Sequence, residues 1–439
     1  MKITVAATGD SLFCADFPPE YAEKRRGIDA FFAGCDLKLT NLETNLSDFG
    51  SFANQYSGGT WLNARKELFP HLASFGFNFF GTANNHCMDY SYAGLLSTVD
   101  FLDGLGIAHA GTGRSLAEAE APALIDLPGG RRAAVFAVDA SMEAPSMAGV
   151  GSRVFSPRPG VNFLRHESVF GVSDADLDDL KRIAKNCGVN SYRDGEIAAG
   201  YMPPDRDGIF VFGGTAFAAG NGATSICDGG DLERITRLIR KAKEETGLVF
   251  VLIHCHDEEG PAPEDPPEYL KQFCRAAINA GADGVFGAGF HRLRGIEIYR
   301  GRPIFYSLGN FIYQGMRVEF LPPDFMKKYG VDPDAPAREG LNARSRGGKI
   351  GLQTNLNNYL TAVPKITFDD GAPERIELAP VALGFNTGNE KLDGLPVLAS
   401  GADAERIFEI LDKLSKPFGT ELTFDRETGM IICAALNEY

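Results

Sequence analysis

Apolar residues in this chain come in short unbroken runs, and between the runs polar and apolar positions recur with a helical period. The runs KITVAATG (2–9), LKLTN (37–41), FNFFGTA (77–83), RRAAVFAVD (131–139), GIFVFGG (208–214), GLVFVLIH (247–254) and DGVFGAG (283–289) are predicted as strands. Several are apolar throughout, the pattern of strands covered on both faces. Between them, Leu177, Leu180, Ile183 and Ala184 share one face of a predicted helix, as do Leu232, Ile235, Leu238 and Ile239. A third helix is predicted from Pro267 to Gly281, whose end residues suit a helix start and stop.

The pattern changes after Gly295. GIEIYRGRPIFYSLGNFIY is predicted as two strands around the turn Arg300-Gly301-Arg302-Pro303. Residues 360–383 are predicted as a hairpin turning at Asp369-Asp370-Gly371, and 421–436 as a second with a longer turn. A helix around 403–415 lies between them. Residues 316–350 show no clean period and are expected to be an insertion or long surface loop. With no internal repeat or low-complexity linker, the expected organisation is one α/β unit. Its core spans 1–315, and the C-terminal strands and helix (351–439) pack on the same unit.

Charge narrows the partners. Against 43 Lys and Arg stand 58 Asp and Glu, a net charge of −15, which argues against non-specific nucleic-acid binding. An anionic small molecule, peptide or polymer remains compatible, because a site needs only local positive charge. No run approaches a membrane span. The apolar start of the chain meets Asp10 after about seven residues, so it is read as a strand rather than a leader, and a cytoplasmic location is expected. The eight cysteines form no CxxC pair, which points to reduced thiols rather than a disulfide framework or zinc knuckle.

Polar residues end the strands. Asp10 follows the first; Asn41 and Glu43 the second; Asn84, Asn85, His86 and Asp89 the third; His254, His256, Asp257 and Glu258 a later one; His291 another. Four of the seven histidines lie in these loops. Each residue alone is compatible with turn or capping chemistry. Together they predict one convergent polar site, since ligands of α/β sheets bind at the carboxyl ends of strands.

The motifs TGDSLF, NLETNL, ANNHCMDY, IHCHDE and GAGFHRLRGIEIYRGRPIFYSLGNFIY resemble, in order, those of CapA-type proteins. These are bacterial capsule and poly-γ-glutamate synthesis proteins related to calcineurin-like metallophosphoesterases, and the resemblance runs from about residue 3 to 315. It implies a four-layer α/β/β/α sandwich with two divalent metals where the loops of two sheets meet. By position it implies Asp10, Glu43 (bridging), Asn85, His254 and His291 as metal ligands, and His86 as the residue serving the leaving group. Carboxylate, amide and imidazole donors suit Mn, Fe or Zn. Asn84, His256 and Arg292 are the candidates for holding substrate. Asp10, His86, Glu258 and His291 are the candidates for catalysis.

The chain departs from that pattern in three places. The opening D-x-H is Asp10-Ser11-Leu12, H-W-G-x-E is His254-Cys255-His256-Asp257-Glu258, and G-H-x-H has Gly289 before Phe290-His291. Two histidine ligands are thereby absent, which weakens the expected metal site. His256 substitutes only if it points the same way as His254. Three functions follow. The first is a metal-dependent hydrolase of phosphoester or amide bonds. The second is a metal-independent acid/base enzyme, such as a peptide epimerase, using Asp10 and His291. The third is a non-catalytic polyanion-binding accessory protein, a reading in which Arg344 and Arg346 serve polyanion binding.

Overall fold

A computed structural model describes residues 2–260 and 262–433. Six strands carry the loops of interest: β1 (Ile3–Leu12), β2 (Leu37–Leu42), β3 (Phe79–Gly81), β4 (Arg131–Asp139), β5 (Gly247–His254) and β6 (Gly284–Ala288). They lie in two sheets. The first has ten strands and runs parallel from β1 through β2 to β3, while antiparallel Leu360–Asp369 and Ala372–Leu383 extend it on the other side of β1. The second has six strands, with β5 parallel to both β4 and β6.

Both faces of these strands are covered, which is why their sequences are apolar throughout. Val5 and Ala7 of β1 join Val135 and Ala137 of β4 and Phe250 and Leu252 of β5 in one buried cluster. The alternate residues Ala134, Phe136, Val249, Val251 and Ile253 pack instead against helices Gly229–Thr246 and Glu268–Asn279. Ala6 and Phe80 pack among Phe31, Phe32, Phe75 and Phe311. Truncating a buried aromatic such as Phe250 costs about 3–5 kcal/mol.

The longer helices form where their apolar faces predict. Asp174–Cys187 and Gly229–Thr246 are capped by Ser173 and Asp228, whose side chains accept from the backbone of Asp176 and Asp231. Both end on left-handed glycines, Gly188 and Gly247. The last helix spans Ala402–Ser415. Two hairpins turn through paired positive φ, at Arg300 (51°) with Gly301 (70°) and at Asp370 (50°) with Gly371 (80°). The expected 421–436 hairpin comprises Leu422–Asp425 and Met430–Cys433, and 434–436 lie outside the described residues.

Three features differ from the sequence expectation. Residues of GIFVFGG form Ile209–Phe212, at the edge of a separate four-stranded sheet, because they pair with the next strand, Thr215–Ala219, rather than with the central sheets. Residues 316–350 contain helices Pro323–Lys328 and Ala337–Arg344, too short for a period to show. Their Phe325, Met326 and Leu341 pack with Leu12 and Leu62. Finally, Asn310–Tyr313 leaves the hairpin that precedes it and pairs with β1 in the first sheet. A Cβ on Gly9 would lie 1.8 Å from the Gly309 carbonyl oxygen, so this crossing requires glycine. The cysteines are free thiols, and no described helix is long and apolar enough to cross a membrane.

Candidate functional site

Strand register brings the polar loops together. Asp10 stands opposite Asn41 on β2 and Asn310 on the crossing strand. His254 stands opposite Asp139 on β4 and Ala288 on β6. The two sheets meet where the Gly289 N–H donates to Asp10 Oδ2 at 2.8 Å and the Asn41 amide donates to Asp10 Oδ1 at 2.7 Å.

At the centre lies Glu43, fully buried, with neither carboxylate oxygen in a hydrogen bond among the described residues. Four imidazoles surround it. The Nε2 atoms of His254, His256, His86 and His291 lie 3.6, 3.8, 4.0 and 4.0 Å from Glu43 Oε1. Two groups of donor atoms are close enough to share one ion each: Asp10, Glu43 and His254, and Glu43, His256 and His291. Glu43 is common to both.

Outer hydrogen bonds fix several rings. Asn310 Nδ2 donates to the carbonyls of His291 and Asn358, so its Oδ1 faces His291 Nδ1 at 2.8 Å and that nitrogen carries the proton. His291 Nε2 then presents a lone pair toward Glu43. Asp89 Oδ2 accepts from His86 Nδ1 at 2.7 Å, which likewise turns the His86 Nε2 inward. Asn85 Nδ2 donates to the Gly58 carbonyl, leaving its Oδ1 2.9 Å from His254 Nε2. Among the described residues the His256 Nε2 has no hydrogen-bond partner. His291 thus has the arrangement of an imidazole ligand whose other nitrogen is anchored in an outer shell, and Asn41 Nδ2 lies 3.1 Å from His254 Nδ1 on the side of that ring away from Asn85.

Electrostatics separates the acids. Burial pushes Asp10 up, but hydrogen bonding and charge from His254 and His291 outweigh it and hold the carboxyl well below the usual range. Burial, and then the charges of Asp10, Asp139 and Asp89, push Glu43 well above it. Asp139 is raised by burial to about 6, against the attraction of His254. His256 is held neutral by burial and by its histidine neighbours. A buried carboxylate without donors is stable only when protonated or facing a cation. The donor set around Glu43 therefore fits divalent metal ions.

The cluster opens on a cleft of about 430 Å³. His86 and His291 form its floor, Gly58, Thr60 and Tyr313 line it, and Tyr329, Arg344 and Leu352 cover it from the 316–350 segment and the turn that follows. Gly58 sits tightly over the floor, since a Cβ there would lie 2.4 Å from Asn85 Nδ2 and 2.7 Å from His86 Nε2.

Asp10, Glu43, Asn85, His86, His254 and His291 thus meet in one place. Four other candidates stand differently. His256, expected to hold substrate, faces Glu43 beside His254 and His291, with ring centroids 4.9 Å from each. Asn84 turns inward, donating to the Leu42 carbonyl and accepting from His86 N, so it has little left for a substrate. Arg292 is held between Glu258 and Glu264, at 3.0 and 2.8 Å, which neutralises both Arg292 and the catalytic candidate Glu258 away from the cluster. Sequence reasoning passed over Asn310 and Asp89 as anchors, although both lie within the quoted motifs. It also passed over Tyr313 and the cleft position of Arg344.

Residues 4–315 match the family described as bacterial capsule synthesis protein PGA_cap. An uncharacterised protein of Sinorhizobium fredii is 33% identical over 441 residues, covering 98% of this chain and 92% of the relative. A probable polyglutamine synthesis accessory protein of Mycobacterium tuberculosis is 26% identical over 285 residues, 64% of this chain and 57% of the relative. The PGA biosynthesis protein CapA of Bacillus subtilis is 25% identical over 312 residues, 71% and 59% respectively. With its motifs in order along the matched span, the chain belongs to the PGA_cap, or CapA, family of bacterial capsule synthesis proteins.

Proposed function

We propose that the chain is a divalent-metal-dependent hydrolase of a phosphoester or amide bond in an anionic substrate, within capsule or poly-γ-glutamate-type metabolism. The two facing sheets with helices on their outer faces are then the four-layer sandwich of the calcineurin-like phosphoesterases. One observation carries the reading: the fully buried, unpartnered carboxylate of Glu43 among four imidazole nitrogens. Asp10, Glu43 and His254 would hold one ion, and Glu43, His256 and His291 a second. Mn, Fe or Zn held there would supply Lewis acidity and an activated water.

The remaining work falls to the chain. Asp89 accepts from Nδ1 and so orients the His86 ring, whose Nε2 would deliver a proton to the leaving group in the cleft. Asn310 fixes His291. Arg294 donates to the Asp257 carbonyl at 2.6 Å and steadies the loop that carries His256.

Proton transfer by Asp10 and His291 without metal is a second reading, favoured by their 3.5 Å separation. Asp10, however, has no exposed surface and does not line the cleft, so only His291 of that pair would reach a substrate. The test is the metal content of protein purified without chelator, with hydrolysis of an aryl phosphate. Bound Mn, Fe or Zn and activity lost in Asp10→Asn and His254→Ala are expected. Protein that takes up none of these ions and hydrolyses nothing would overturn the reading.

A further inference from the structure

In a chain of net charge −15, arginines readily find acids: Arg65 pairs with Glu319, Arg292 with Glu258 and Glu264, Arg317 with Asp16, and Arg338 with Glu390. Arg344 does not. Half-buried at the end of helix Ala337–Arg344, it lines the cleft above His86 and His291. Its Nη1 donates to the Thr60 hydroxyl, and its guanidinium lies 5.6 Å from the Phe325 ring. Among the described residues no carboxylate pairs with it. Much of the surrounding wall is apolar or aromatic, formed by Leu12, Met316, Tyr313, Tyr329, Ile350 and Leu352, with Ser345 and Gln353 as polar neighbours.

We propose that Arg344 is a specificity-determining residue that binds a single carboxylate carried on an apolar or aromatic framework, such as the terminal residue of a peptide. This rests on the reading of the cleft as the substrate site. Partial burial disfavours the bare cation, so the cleft gains by admitting a counter-charge. A guanidinium with free N–H groups matches a carboxylate fork. Of any anionic chain the cleft would take one carboxylate at Arg344, because among the described lining residues no second Lys or Arg stands beside it and the adjoining wall offers apolar contact.

The test is calorimetric and independent of turnover. N-acetyl-L-phenylalanine, its amide, phenyl phosphate and penta-glutamate are titrated into chelator-treated full-length protein. Wild type is expected to bind the carboxylate probe best, at least ten-fold more tightly than its amide. Arg344→Met should remove that preference while binding the amide as before, which shows an intact cleft. Arg344→Lys should restore part of it. Equal affinity of wild type and Arg344→Met for the carboxylate probe overturns the assignment, as does failure of the probe to bind wild type. Tighter Arg344-dependent binding of phenyl phosphate overturns the carboxylate class, and tighter Arg344-dependent binding of penta-glutamate overturns the apolar framework. Because these titrations contain no metal, loss of the hydrolase reading leaves their outcome readable.

Discussion

The backbone amide of Gly289 donates to Asp10 Oδ2 at 2.8 Å, at the position where the family pattern places a histidine. Gly289 has φ 96°, and a Cβ on it would lie 2.7 Å from Cys255 N and 3.0 Å from the Cys255 carbonyl. The absent side chain is thus a requirement of the local backbone. Gly289→His is expected to add no ligand and to lose roughly 1–3 kcal/mol through left-handed strain and overpacking. Thermal melts and metal stoichiometry check this; a variant that holds more metal at unchanged Tm would contradict it.

On the two-ion reading proposed above, His256 would take the place of the histidine that Gly289 replaces. Its Nε2 lies 3.8 Å from Glu43 Oε1 and its ring sits midway between those of His254 and His291. His256→Ala should weaken the second ion by at least the roughly 10–100-fold that follows loss of an outer-shell partner, with the first ion retained. His254→Ala should remove the first. Competition with a fluorescent chelator distinguishes the two, and identical titrations for both variants would refute separate ion positions.

The sequence was legible where chemistry sits at a strand end. Glu43 and His254 stand at the ends of β2 and β5, Asn85 and His291 come a few residues past β3 and β6, and parallel register aligns those ends; Asp10, expected after β1, lies inside it, because β1 continues to Leu12 alongside Asn310–Tyr313. It was less legible where side-chain direction depends on how a strand stops. β5 ends at His254, and His256 turns toward the same centre only because its N–H donates to Ser141 Oγ and Arg294 steadies the loop. Arg292 follows His291 immediately, yet Glu258 and Glu264 draw it aside. Arg344 lies in a segment whose helices are too short for periodicity, and folding alone brings it over the cleft.

Asp139 gives a pH prediction for metal-free protein. Burial raises its carboxyl to about 6, and its Oδ2 has no donor, while Oδ1 accepts from Ser141 N at 2.8 Å. The folded state therefore binds the proton more tightly than the unfolded chain. Stability falls as pH rises from the unfolded value, about 3.9, through about 6, and the loss is complete above that, on the order of 2–3 kcal/mol. Asp10 has the opposite sign and acts below this window. Asp139→Asn keeps the Ser141 contact and should reduce the drop in Tm between pH 4.5 and 7, the remainder coming from Glu43 and Asp89, which burial also raises. Parallel curves for variant and wild type would show that another group is responsible.

The His86–Asp89 pair gives the test of leaving-group protonation. Asp89 is fully buried and accepts from His86 Nδ1 at 2.7 Å, Leu62 N at 2.7 Å and Gly58 N at 3.2 Å. It therefore holds both the proton-bearing ring and the backbone over the cleft floor. Asp89→Asn removes the carboxylate that orients the His86 ring, and His86→Ala removes the acid. General acid catalysis is worth about 10²–10⁴-fold, and only when the leaving group needs a proton. Phenyl phosphate should accordingly lose roughly 10²-fold or more in kcat in both variants, whereas p-nitrophenyl phosphate, which departs as a stable anion, should lose far less. Equal losses on the two substrates would assign His86 to binding or to the fold. A loss selective for phenyl phosphate would assign it to the proton.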